Sequence, residues 1–373
     1  MRIGICAPYD LSLDGGVNSH IRAQARALRH LGHHVSVFGA ASSTIEQGEI
    51  AVAAAAGLVV DGTESGVSVD PRAWPRVGRL LDRERLDVLH VHEPLMPVVP
   101  WCAVFRSRVP VVGTFHAHRE RGHRFYPLCR PLLGPLMRRV AVRIAVAPAA
   151  RRTIARYFPG DYLIVPNGIE FARFRLPSAR PLDVADDRRH VLFVGRIEPR
   201  KGLSYLIDAM ATVQQRFSDV RLLVVGDGPD RDAAIRRARR ANVDAQFAGR
   251  VTDHRLAAYY RAADVVCAPA TGGESFGLVL LEAMAAGRAV VASRVDGYAE
   301  LVGNAGVVRF VPPADVQALA REITALMVDP RGRDTLGASG IAFAAQFDWS
   351  AVAHRLEAIY YGLASSECSS TIF

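Results

Sequence analysis

The chain has 373 residues, half of them hydrophobic and 22% charged, which predicts two packed domains and excludes a disordered chain. Five cysteines without a CxxC pair argue against a disulfide scaffold or thiolate zinc site, and the longest apolar run, IAVAAAAGLVV at 50–60, is too short to span a bilayer. The formal charge of +9 is concentrated, with seventeen arginines and five acids in residues 72–156; this predicts an anionic partner, or else a solvated arginine-rich surface.

The N-terminus MRIGICAPYD reads as a first strand rather than a signal peptide, so a cytoplasmic protein is expected. Strand-like runs follow at 2–8, 34–39, 87–94, 109–116, 143–148 and 162–168, and the end of the 50–60 run also reads as a strand. Val17, Ile21, Leu28 and Leu31 share one face of a predicted helix over 17–31, which Gly32 ends. Residues 170–189 are polar, contain two prolines and lack periodicity, so they read as an interdomain linker. A second series places strands at 189–197, 220–228, 244–251, 264–270, 288–295 and 306–313. Its helices are expected at about 202–217, 229–241, 253–262 and 278–286, with a final helix from about 349 to 364. Alternation of short apolar strands with helices predicts an α/β protein of two doubly wound, Rossmann-like domains facing a central cleft. The expected division is 1–169, a linker at 170–189, and 190–348, with 349–373 packing back on the first domain.

Ligands of such sheets bind at the carboxyl ends of the strands, so the loops there carry the chemistry. Gly15 and Gly16 open the first helix, where backbone N–H groups can meet an anion. A complete GxGxxG is missing, and HVSVFG ends without an acid, which argues against a dinucleotide-dependent dehydrogenase. His90, His92, His116 and His118 suggest a metal by type, but no carboxylate or thiolate set completes a shell, so polar site-lining is the better reading. In GRIEPRKG, Arg196 and Lys201 offer a planar fork and a compact point charge, which together suit a pyrophosphate; alone they would read as solvated cations. Lys201 is also the only lysine in the chain. In TGGESFGLVLLEAMAAG, Glu274 precedes a helix and Glu282 lies two turns into it. They are separated by roughly 12 Å along the axis, and the N–H groups of Phe276, Gly277 and Leu278 lie between them. A sugar–pyrophosphate–ribose ligand has that order of groups; an acidic helix start with one buried glutamate is the plainer alternative.

Together, GGV, HVHEP, TFH, PNGIE, GRIEPRKG, VVGDGP, GRV and ESFGLVLLEAMAAG resemble retaining glycosyltransferases of family 4, with the GT-B fold, over essentially the whole chain. PYD…GGVNSH, HVHEP, ESFG and FDWS are similar to the actinobacterial phosphatidyl-myo-inositol mannosyltransferases within it. That resemblance implies GDP-mannose as donor, a phosphoinositide acceptor, no required metal and peripheral attachment to the inner face of the membrane. It implies that Gly16 binds the donor phosphate, Arg196 and Lys201 the pyrophosphate, Glu274 the sugar hydroxyls, Glu282 the ribose and His116 the transferred sugar. Arg250 and Val251 would meet the nucleobase, and Tyr9, Asn18 and His118 would face the acceptor. Arg72, Arg76, Arg79 and Arg83 recur at helical spacing and would meet anionic phospholipid. A monomer is expected and nucleic acid is not, since no binding motif accompanies the charge. A soluble acceptor, another nucleotide sugar, or nucleotide-sugar 2-epimerisation are the alternatives kept open.

Overall fold

A parallel strand covered on both sides must be apolar on both sides, and VLHVH at 88–92 and VVGTF at 111–115 are buried at every position. The computed structural model describes the chain except residues 14, 61–62, 118–125, 177–180, 182–183, 185–186 and 371–373. It divides into two units, Met1–Gly168 with Trp349–Phe373, and Ile169–Asp348.

Unit 1 runs β1 (Arg2–Cys6), α1 (Gly16–His30), β2 (His34–Ala41), β3 (Glu49–Ala54), β4 (Ala56–Val60), β5 (Thr63–Val67), α2 (Ala73–Glu84) and β6 (Val88–His92). It continues with α3 (Val99–Arg106), β7 (Val111–Phe115), α4 (Tyr126–Arg139), β8 (Val140–Ala145), α5 (Pro148–Ala155) and β9 (Leu163–Ile164). A seven-stranded parallel sheet has the order β3-β2-β1-β6-β7-β8-β9, and β4 pairs antiparallel with β5. Alternate strand residues feed the two faces. Ile3, Ile5, Val88 and Val112 pack with Ile21 and Leu28 of α1 and with Val352, Leu356 and Tyr360 of the C-terminal helix. Leu89, Val91 and Val111 pack with Val77 and Leu80 of α2, Ala103 of α3, and Leu133 and Leu136 of α4.

Unit 2 runs α6 (Phe171–Arg175), β10 (Arg189–Val194), α7 (Leu203–Arg216), β11 (Val220–Val225), α8 (Arg231–Arg240), β12 (Ala245–Gly249) and α9 (Asp253–Ala262). It continues with β13 (Val265–Ala268), α10 (Leu278–Ala285), β14 (Ala289–Ser293), α11 (Asp296–Val302), β15 (Arg309–Val311), α12 (Val316–Val328) and α13 (Pro330–Ala344). The final helix, α14 (Trp349–Ser370), returns to unit 1. Six parallel strands take the order β12-β11-β10-β13-β14-β15. This is the doubly wound order whose direction reverses between the first and fourth strands, here β10 and β13. Every strand expected in the second series is present, as are α7, α8, α9 and α10. Unit 1 adds β3 and the β4–β5 hairpin, where the sequence showed only one strand-like end. The segment expected as a linker opens with α6, whose buried Phe174 meets Tyr260 edge-on at 5.6 Å within unit 2.

The loops after β10 and β13 touch through their backbones. Gly202 has φ +73°, and a Cβ there would lie 1.9 Å from the Pro269 carbonyl oxygen. Thr271 N donates to Arg200 O at 2.8 Å beside it. Gly202→Ala is expected to lower stability by about 2–4 kcal/mol through the positive φ and the collision. Denaturant unfolding of the variant checks this, and an unchanged midpoint would contradict the contact.

Candidate functional site

In unit 2, the switch-point loops bring the predicted charges together. Glu274 is buried, and its Oε1 lies 2.7 Å from Lys201 Nζ and 2.8 Å from Arg200 Nη1. Arg200 also pairs with Glu198 at 2.7 Å, and Arg196 lies 3.5 Å from the same carboxylate. Three cations therefore share two carboxylates in one place, an arrangement suited to transferring positive charge to an incoming polyanion. Arg200 and Glu198 were not singled out by sequence; their signal was their place in the same loop as Lys201. The side chain of Lys201 is only 20% exposed, and its compact ammonium reaches the buried carboxylate without the width of a guanidinium.

No side chain caps α10, which begins after Gly277 at φ +110°. A Cβ at Gly277 would lie 2.8 Å from the Tyr298 ring, so both the conformation and the space require glycine. Phe276 is buried beside this turn and Leu278 opens the helix, whose first-turn N–H groups have no side-chain cap and so are of the kind that can receive an anion. Two turns on, Glu282 Oε2 accepts the Tyr260 hydroxyl at 2.7 Å. Burial raises Glu282 to about 7, against the Tyr260 bond and the Arg173 charge, which lower it. Arg250 is exposed and Val251 half-buried, between the end of β12 and the start of α9.

In unit 1, α1 also starts without a side-chain cap, after Gly15. A Cβ on Gly15 or Gly16 would meet nothing within 4 Å among the described residues. The fold does not need glycine there, so the open space suits a close ligand. Asn18 is buried, and its Nδ2 donates to Asp10 O at 2.7 Å and Leu13 O at 2.9 Å. Its amide thus shapes the loop that leads to the glycines. Tyr9 is half-buried in the same loop. His118 lies outside the described residues.

Histidines form the wall beside this helix start. His92 Nδ1 and His116 Nε2 are 2.8 Å apart, and their rings stack at 5.1 Å. His20, from α1, meets both edge-on at 5.3 and 4.8 Å and meets Trp349 at 4.8 Å. Behind them, the Gln24 amide donates to His90 Nδ1 at 3.0 Å, which leaves His90 Nε2 to donate to Thr114 Oγ1 at 2.7 Å. Tyr360 of α14 contacts the same His90 nitrogen. Glu93 Oε1 accepts from the backbone N–H groups of His116 and Ala117, at 2.7 and 3.0 Å, and fixes the turn that carries His116. Burial lowers His20 to about 4 and His90 to about 3, and holds His92 and His116 well below the usual imidazole range. All four are therefore neutral near pH 7 and act as polar hydrogen-bonding groups.

The sequence paired His90 and His92 with His116 and His118; the fold instead joins His20 to His92 and His116. The ring nitrogens of this trio lie within 4.8 Å of one another, the one group of metal-ligating type among the described residues. His92 Nδ1 and His116 Nε2 are occupied by each other, while His20 Nδ1 and His92 Nε2 have no hydrogen-bond partner.

Arg72, just before α2, and Arg76, Arg79 and Arg83 on it are all exposed, as is Trp74, while Val77 and Leu80 are buried. Arg76 lies 3.8 Å from Asp70, and Arg83 lies 3.0 Å from Glu84.

Residues 14–173 match the family described as Glycosyltransferase Family 4, and residues 188–329 match Glycosyl transferases group 1. The chain is 37% identical, over 98% of both chains, to a phosphatidyl-myo-inositol mannosyltransferase of Mycobacterium tuberculosis. It is 30% identical to a D-inositol 3-phosphate glycosyltransferase of Streptosporangium roseum, over 93% of this chain and 88% of that one. The fold is shared with Anabaena HepE, solved in complex with UDP and glucose, at TM-score 0.75 and 21% identity over 97% of this chain and 100% of that one. Among the described residues, no helix is long and apolar enough to cross a membrane.

Glu282 supplies a pH test. Its folded value of about 7 exceeds the ordinary 4.5, so the folded state holds the extra proton between these values. Stability from this group is present below pH 4.5 and is lost as pH rises through 7. Thermal melts across this range should show the decline in the native protein and a flatter profile in Glu282→Gln. An identical slope in both would contradict the assignment.

Proposed function

Because the chain belongs to glycosyltransferase family 4, we propose that it transfers mannose from GDP-mannose to the inositol of an anionic membrane phospholipid, with retention of configuration. The observation that carries this reading is the ion-paired cluster of Lys201, Arg200 and Glu274 on the two switch-point loops of unit 2. Without a donor, the carboxylate neutralises the cations. On donor binding, Lys201, Arg196 and Arg200 turn to the pyrophosphate, and Glu274 is released to accept from sugar hydroxyls. Glu282 accepts from the ribose hydroxyls, and the first-turn N–H groups of α10 and Gly16 receive phosphate oxygens. Arg250 and Val251 border the nucleobase.

The bond from the sugar C1 to the β-phosphate oxygen breaks, and the acceptor oxygen joins C1 on the same face. The acceptor proton passes to the departing β-phosphate. Charge grows on that phosphate, so the cations and helix starts stabilise the transition state more than the ground state. They do so in place of a metal ion. Neutral His116 hydrogen-bonds the transferred sugar without adding charge at the reacting carbon. Tyr9, the loop held by Asn18, and His118 border the acceptor. The exposed arginines of α2 hold the monomer against the inner membrane face, each contributing about 1 kcal/mol near an anionic surface.

Similarity to the D-inositol 3-phosphate glycosyltransferase supports a second reading, in which the acceptor is a soluble inositol phosphate. Transfer assays with phosphatidylinositol and with inositol phosphate separate the two. A thermal-shift panel of GDP-, UDP- and ADP-sugars identifies the donor, since a ligand at 100 times its Kd adds about 2.7 kcal/mol. No shift with any of them would overturn the reading.

Two substitutions and one addition test the mechanism. Glu274→Ala should lower kcat/KM by at least about 100-fold while the protein still unfolds cooperatively. Lys201→Arg should keep the charge yet lose most activity, because the wider fork does not fit where the ammonium reaches the carboxylate. EDTA should leave the transfer rate unchanged; loss of activity restored by a divalent cation would contradict metal-independent catalysis.

A further inference from the structure

Helix α4 is apolar on two sides. Tyr126, Leu133, Leu136 and Met137 face the core, as expected for a helix covering a sheet. Leu128 and Leu132, one turn apart, point the other way and are 82% and 59% exposed. Among the described residues nothing in unit 1 covers them, and an isolated helix of this kind would normally carry polar groups there. Arginine follows a separate stride of four, with Arg130, Gly134 and Arg138 along one flank. Glycine at the middle position leaves a notch between two exposed guanidinium groups, and Arg138 Nη1 lies back over it.

That flank borders a groove of ≈ 530 Å³ between α4 and the segment after α5. Arg130, Arg138 and Arg143 line it with Tyr157 and Phe158, and no carboxylate is among its described lining residues. Arg143 is fixed in the wall by donating to Met137 O and Pro159 O, at 3.1 and 3.2 Å. Helix α3 packs against both α4 and α2. Phe105 on α3 and Trp74 on α2 are exposed apolar side chains as well.

We propose that α4 is a second membrane-docking element: Leu128 and Leu132 enter the apolar layer of an anionic bilayer while Arg130 and Arg138 hold a lipid phosphate beside Gly134. The proposal rests on the membrane part of the functional reading but on different residues from those of α2. The occupant follows from the chemistry: exposed leucines on a helix whose other flank carries arginines, with no acid among the described lining residues, match an acyl layer beneath a phosphate layer. A solvated arginine surface would not also expose two leucines one turn apart on the same helix.

The test is co-sedimentation of the full chain with phosphatidylcholine vesicles, with and without phosphatidylglycerol. Wild type should bind only the anionic vesicles. Arg130→Ala with Arg138→Ala should weaken binding about fivefold per arginine, and Leu128→Asp with Leu132→Asp should weaken it about tenfold or more. Thermal melts should match wild type, since all four side chains are exposed; should the leucine pair melt early, the arginine pair decides. If both pairs bind anionic vesicles as wild type does, the α4 surface is wrong, and the α2 face and lipid acceptor stand. If wild type binds no vesicles, the α4 surface is also wrong, and transfer to detergent-dispersed phosphatidylinositol then judges the acceptor separately.

Discussion

One carboxylate receiving two cations across two loops organises unit 2. Glu274 comes from the loop after β13, and Lys201 and Arg200 come from the loop after β10. The sheet order places these strands side by side, and Gly202 lets their loops touch through the backbone. A buried carboxylate without partners would be costly, and two neighbouring cations without an anion would repel. The triad satisfies both requirements only while no other anion is present. That exchangeability suits a site whose ligand is itself a polyanion, because binding replaces one set of charge contacts with another.

Unit 1 solves a different problem with uncharged groups. Its histidines are held neutral by burial, and His90 among them is oriented by Gln24, Thr114 and Tyr360. Such a wall can hydrogen-bond hydroxyl groups without adding charge. Tyr360 lies on α14, so the C-terminal helix contributes to the order of these rings as well as to the core. Asn18 and Glu93 work in the same way: each holds a turn, through Asp10 O and Leu13 O in one case and through the His116 and Ala117 amides in the other.

The alternation of buried strands and helices was readable because parallel strands are apolar on both faces and bounded by turn residues. The helix after Glu274 and the glycine turns before α1 and α10 were legible for a similar reason, since each is set by residues local in sequence. What was not legible depends on contacts made at a distance. IAVAAAAGLVV contains two strands because β3 pairs with β2 whereas β4 pairs with β5, and an alanine-rich run does not announce where one ends. Arg200 and Glu198 look like ordinary loop charges until Glu274 lies beside them. His20 sits on a helix and showed no spacing that would link it to His92 or His116. Nothing local in the sequence marks the Asn18 amide as buried and bonded to Asp10 O and Leu13 O.

Lysine occurs once, at position 201. Apart from the N-terminal amine, the protein therefore carries a single primary amine, and that amine is ion-paired to Glu274. Acylating reagents must approach the nitrogen directly, so a carboxylate seated 2.7 Å from it obstructs modification. The rate at which this one lysine is acylated thus reports how often its ion pair opens, giving a chemical clock for the loop that needs no engineered label.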